Sequence, residues 1–172
     1  MKTNSIKLYN LIFPIWLLWI FPLTWIIILP GNLIIDWLVV TLSMKYLKIT
    51  DIKEKVNKVI LRVYLIGFLS DFIGTLGMFL SLILDFDSNT AFGKWWQEYM
   101  VSAVSYNAFE NIYSFLWVTI CLLLAALSIY LLNYHISFKK LDITLIQRKK
   151  LSLSLAIFTA PYLFYLPTKY FY

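Results

Sequence analysis

Apolar residues gather into five blocks separated by short polar stretches, covering about residues 8–29, 33–47, 61–84, 112–134 and 151–166. A helix needs about 20 apolar residues to cross the hydrocarbon core of a bilayer. The pattern therefore predicts an all-α integral membrane protein, a bundle of five transmembrane helices forming one polytopic domain over residues 1–172. Pro30-Gly31-Asn32 predicts a tight turn between the first two blocks, since proline and glycine both break helices. The second block is short for a span and carries Asp36. A different pattern occupies residues 92–106, where Phe92, Trp95, Trp96, Tyr99, Ala103 and Tyr106 recur at helical spacing. Lys94, Gln97, Glu98, Ser102 and Ser105 fall on the opposite side. That spacing predicts a short amphipathic helix on the outer membrane surface, serving as an anchor or as a lid over an external opening.

Composition agrees with the blocks. Hydrophobic residues make up 61% of the chain and charged residues 14%, and the mean hydropathy is +0.77. Soluble domains are about half apolar and a quarter charged. The net charge of +6 does not point to nucleic acid, because the cations flank apolar blocks. With five spans and the N-terminus inside, the inner side holds Lys2, Lys7, Lys45, Lys48, Lys53, Lys55, Lys58, Arg62, Lys139, Lys140, Arg148, Lys149 and Lys150, leaving Lys94 and Lys169 outside. So one-sided a placement follows the positive-inside rule. It predicts a multi-pass protein of the plasma (cytoplasmic) membrane with its N-terminus inside and its C-terminus outside. The first block exceeds the 7–15 apolar residues of a signal peptide and ends without a small-x-small cleavage site, so it reads as a retained span. Trp25, Trp37 and the C-terminal cluster Tyr162, Tyr165, Tyr170 and Tyr172 suit the headgroup level.

One acid interrupts the third block. Asp71 lies ten residues beyond Leu61, about 15 Å along a helix, close to the midplane. On a helical wheel Gly67, Ser70, Asp71, Gly74 and Gly77 share one arc, so the carboxylate lies on a face of small residues that lets another helix approach closely. Arg62 rotates away from it, and Asp36, read as sitting near the outer end of its span, looks too far for a direct pair. An ionisable group inside a membrane is a functional candidate by default. The structural alternative is a neutral carboxylic acid hydrogen-bonded to a neighbouring helix through Ser43, Thr119 or Tyr162. Pro22 and Pro161, in the middle of the first and fifth blocks, each free a helical carbonyl at a depth comparable to Asp71, as interrupted transporter helices do. Asp71, Ser70, Pro22, Pro161 and Thr159 thus form the first candidate site for an ion or substrate. Asp36 also suits a capping role near a helix N-terminus.

Asp36, Glu110 and Asn111 form the second candidate, an outer site for an enzyme. It lacks a histidine or an obvious nucleophile. "DFDSNT", residues 85–90, begins like a calcium loop, but Thr90 stands where glycine belongs and Trp96 where glutamate belongs. It reads as a polar turn. His135 has no second ligand at metal spacing, and Cys121 is the lone cysteine, read as a packing residue. No metal or cofactor is expected. Three function classes remain. A channel or transporter unit would use Asp71 as a proton- or cation-linked carboxylate. An accessory or immunity-type subunit would dock through the Gly67–Gly77 face within a larger complex. A membrane-embedded enzyme would act on a lipid substrate. The bilayer is the expected partner, with a homo-oligomer or larger membrane complex around it.

Overall fold

A computed structural model describes residues 22–170, the side chains of residues 22–24 and 169 excepted. Among the described residues every regular element is helical. Helix α1 is Pro22–Tyr46, α2 is Ile52–Ile83, α3 covers residues 91–106, α4 is Ile112–Ser137 and α5 is Leu145–Phe158. Two short 3₁₀ turns, Tyr162–Tyr165 and Thr168–Tyr170, close the chain. Three of the helices are long and apolar enough to cross a membrane: Trp25–Tyr46, Ile52–Ile83 and Ile112–Ser137.

The expected turn at Pro30-Gly31-Asn32 does not form. Residues 22–46 make one uninterrupted helix with Pro30 inside it, so residues 22–29 and 33–46 belong to the same rod; the rest of the first block falls on residues 1–21, outside the described residues. The rule that proline and glycine punctuate a chain holds where water satisfies the freed backbone groups. Proline inside a helix costs about 3 kcal/mol, whereas each polar group left unpaired in an apolar medium costs roughly 2–7 kcal/mol. Continuing the helix strands one carbonyl, that of Ile26; turning would strand several.

The fifth block departs in the opposite sense. Residues 151–166 are not one helix: α5 stops at Phe158, and Pro161 follows its end instead of kinking its middle. Pro161 has no N–H to offer Ile157, and its ring disfavours helical backbone at the residue before it. The Tyr162 hydroxyl supplies the missing donor to the Ile157 carbonyl.

Packing is cyclic. Helix α1 packs on α2 and α5, and α4 packs on α2 and α5, so four helices close a ring. One end of its core holds Val40, Met44, Val56, Val59, Val63, Ile129, Phe138, Leu151 and Leu155. The other holds Met78, Val104, Val118, Cys121, Leu122 and Phe164. At the first end Gln147 Nε2 donates to the Leu47 carbonyl at 3.1 Å, while Thr144 and Gln147 form a capping box that starts α5. The two basic stretches, residues 45–62 and 139–150, therefore lie toward the same end of the bundle. Away from the core, the helices expose large apolar side chains, among them Ile26, Ile34, Leu65, Leu69, Phe72, Ile120, Leu123 and Leu127. A belt of that extent suits lipid, not water.

Helix α3 docks at the opposite end. Its middle turn, Gln97–Ser102, is a π-helix. The wider turn shifts the inward face, so that Trp96, Met100, Ala103 and Val104 are buried while Phe92 and Tyr106 are exposed. The expected stripe of Phe92, Trp95, Trp96, Tyr99, Ala103 and Tyr106 is thus kept only in part. Trp96 Nε1 donates to the Ser81 carbonyl in the last turns of α2 at 3.2 Å. The 85–90 stretch is a turn: Asp87 Oδ1 accepts from the Asn89 backbone and side chain, and Thr90 caps α3. Gly93 is required there, since a Cβ would collide with the Asp87 carbonyl oxygen.

Candidate functional site

Continuity of α1 relocates Asp36. It sits ten residues before the end of α1 and fourteen after Pro22, in the body of the helix and not at an outer cap. Burial is nearly complete, with 6% of its surface exposed. Its carboxylate faces α2 at Gly67, where an added Cβ would lie 3.6 Å from Asp36 Oδ2. Gly67 leaves the room that the carboxylate occupies. Asp71 stands one helical turn beyond Gly67 on nearly the same face, so its side chain begins about 5–6 Å from that position. Asp36 therefore faces the stretch of α2 that carries Asp71, where the sequence had placed it farther out. The reason is depth: the assumed turn had placed Asp36 near the surface.

The surroundings are poor in compensation. Among the described residues the ion pairs are Lys55–Asp51 and Lys58–Glu54, both at the basic end, and neither Asp36 nor Asp71 takes part in one. Asp71 Oδ1, Ser70 Oγ and Thr41 Oγ1 are buried without a hydrogen-bond partner among the described residues. Buried polar groups are rarely left so, and each costs about 1–3 kcal/mol. Two ionised carboxylates brought close together in an apolar medium would repel. Tyr64 donates to the Leu29 carbonyl at 3.2 Å, tying α2 to α1 just before Pro30.

The other expected members scatter. Ser70 is fully buried on the same arc of α2. Pro22 lies about 21 Å along α1 from Asp36 by helical rise, and the Thr159 hydroxyl is spent on the Leu155 carbonyl at 2.9 Å. Asn111 caps α4, accepting from the Tyr113 and Ser114 amides, and donates to the Tyr99 carbonyl. Glu110 is exposed beside it. The level of Asn111 is set by α3, whose Trp96 meets α2 at Ser81, fourteen residues beyond Gly67. That places Asp36 about 20 Å from the Glu110–Asn111 corner, so no joint outer site forms. The small-residue face is filled from within: Gly67 by Asp36, Gly74 by Phe164, Ala125 and the Cys121 carbonyl, and Gly77 by the Cys121 thiol. Docking through that face has lost its surface.

Phe164 escaped the sequence reading, because a phenylalanine in an apolar block carries no signal of its own. Tyr64 had one available signal, a hydroxyl seven residues before Asp71 on the neighbouring arc of the same helix. No protein-family model, curated protein or solved structure matches this chain, so the geometry of the Asp36–Asp71 region alone carries the functional argument.

Proposed function

We propose that this protein is a small multi-pass membrane protein that binds and passes a proton or a small cation through the Asp36–Asp71 carboxylate pair. The observation that carries this reading is that buried Asp36 packs against Gly67, one helical turn from Asp71 on α2, with no ion pair to either acid among the described residues. An acid pair held in hydrocarbon is costly, and structures retain such groups where charge moves. Loading one proton or cation relieves the repulsion, and releasing it restores the binding-competent state. Nothing in this cycle needs a resident metal or cofactor.

In the arrangement we favour, α1, α2 and α4 each cross the bilayer, and residues 145–170 make a further crossing from α5 and the 3₁₀ turns. The 47–51 and 138–144 linkers face the cytoplasm, with Lys45, Lys48, Lys53, Lys55, Lys58, Arg62, Lys139, Lys140, Arg148, Lys149 and Lys150 at that end. Helix α3 and the C-terminal turns face outward, in the plasma membrane. The expected inner placement of the N-terminus concerns residues 1–21, outside the described residues. The test is flux: purified protein in vesicles holding a pH-sensitive dye, driven by imposed gradients of H⁺, Na⁺ or K⁺. Asp71→Asn and Asp36→Asn should each lower the wild-type flux at least about tenfold, a loss of 1.4 kcal/mol or more in barrier terms. Undiminished flux in both variants would sink the reading.

A further inference from the structure

Beyond Phe158 α5 gives way to irregular chain and a 3₁₀ turn, held by contacts of an unusual kind. Residues 159–161 carry no helix, and the 3₁₀ turn Tyr162–Tyr165 follows. Within it Phe164 is 5% exposed and its ring lies in the notch of Gly74, where a Cβ would come within 2.7 Å of Phe164 Cε2. Gly74 is three residues beyond Asp71 toward the α3 end, about 4.5 Å higher and rotated by about 60°. The next residue, Tyr165, has its hydroxyl 2.7 Å from Thr119 Oγ1 of α4, and its ring stacks on Phe109 and Phe115. The polar pin thus sits one residue from the apolar plug.

We infer that Phe164 is the outer gate of the carboxylate site, a ring seated in the Gly74 notch that closes the passage between Asp71 and the outer surface. This deepens the proposed function by naming the residue that sets access, and it rests on that reading only for the identity of what passes. The segment suits motion. A 3₁₀ turn has poorer hydrogen bonds than an α-helix, and the irregular residues 159–161 provide a hinge at which the ring can swing without unwinding α5. The Thr119–Tyr165 bond is the hydrogen bond that pins the turn to α4.

Accessibility tests the gate without reference to flux. In Cys121→Ala protein carrying Asp71→Cys as its one thiol, reconstituted in vesicles, a charged, membrane-impermeant methanethiosulfonate is added from the outside. The thiolate attacks the reagent's sulfenyl sulfur, a disulfide forms and methanesulfinate leaves. Adding Phe164→Ala should raise the labelling rate at least tenfold, and Phe164→Trp should leave it at the parent value. Equal rates in the parent and in Phe164→Ala would overturn the gate. Should Phe164→Ala fail to fold, Thr119→Val, which removes the pin and keeps the ring, should raise the rate severalfold, and no rise there would overturn it equally. Raised labelling by Phe164→Ala, with no flux through the wild-type protein, would uphold the gate while refuting the translocation reading. Unchanged labelling in a protein whose flux needs Asp71 would refute the gate alone.

Discussion

Gly77 offers a sharp test of how α2 packs on α4. A Cβ added there would lie 2.8 Å from Cys121 Sγ and 3.6 Å from Cys121 Cβ. The first distance is about an ångström too short and the second is ordinary contact. Gly77→Ala should therefore overpack the interface, at about 1–3 kcal/mol, offset by the roughly 1 kcal/mol that alanine gains over glycine inside a helix. A net loss of about 1 kcal/mol is expected. Cys121→Ala alone deletes a buried atom and should cost about 1 kcal/mol. In the double variant the new Cβ enters the space the sulfur leaves and meets only the Cβ at position 121. That protein should be about as stable as the wild type, so the two changes should couple by about 2 kcal/mol in its favour. The assay is reversible unfolding in mixed micelles with increasing denaturing detergent, followed by tryptophan fluorescence. Additivity within about 0.5 kcal/mol, the behaviour of residues that do not touch, would refute the described α2–α4 contact and the filling of the small-residue face that depends on it.

Two further outcomes can be checked in the same assay. Gly31→Ala should stabilise the protein by about 0.5–1 kcal/mol, because position 31 lies inside a helix and an added Cβ meets nothing within 4 Å; a clear loss would restore the turn that the sequence suggested. Asn111→Ala should cost about 1 kcal/mol through loss of the α4 cap and loosen α3 through the Tyr99 carbonyl, seen as faster amide exchange over residues 97–104. Unchanged exchange there would sink that link.

The apolar blocks were legible because residues that face lipid leave a compositional trace whatever they pack against. What misled was grammar learned in water. Pro30-Gly31 reads as a turn only where solvent satisfies a broken ladder, and that one error displaced Asp36 from the middle of α1 to its end and hid its neighbour. Pro161 shows the complementary case: there the same residue type does stop a helix, because the Tyr162 hydroxyl satisfies the carbonyl it abandons. Asp71 and its glycines could be read from spacing alone, since a helical wheel needs no tertiary knowledge. Which helix fills each glycine could not, because Asp36, Cys121 and Phe164 come from three distant stretches that only the ring of helices brings together. In α3 the π turn displaced the amphipathic face, a change of period that a fixed 3.6-residue repeat cannot anticipate.

The positions of Asp36, Gly67, Asp71 and Cys121 along the chain also set a timetable. In the proposed membrane arrangement, α1 emerges from the ribosome before the α2 stretch against which Asp36 packs, and an aspartate at the centre of a helix facing lipid costs about 2.5–3.5 kcal/mol. Gly67 and Asp71 follow 31 and 35 residues later, a delay of several seconds at roughly 5–20 residues per second. The 47–51 linker is so short that α1 and α2 are expected to enter the bilayer as a hairpin, each shielding the acid of the other. The α4 face that covers Gly74 and Gly77 arrives later still, with Cys121 fifty residues behind Asp71. Until then the hairpin presents a notch of bare backbone, the kind of half-finished surface that an insertion machine must hold before releasing the chain sideways into lipid.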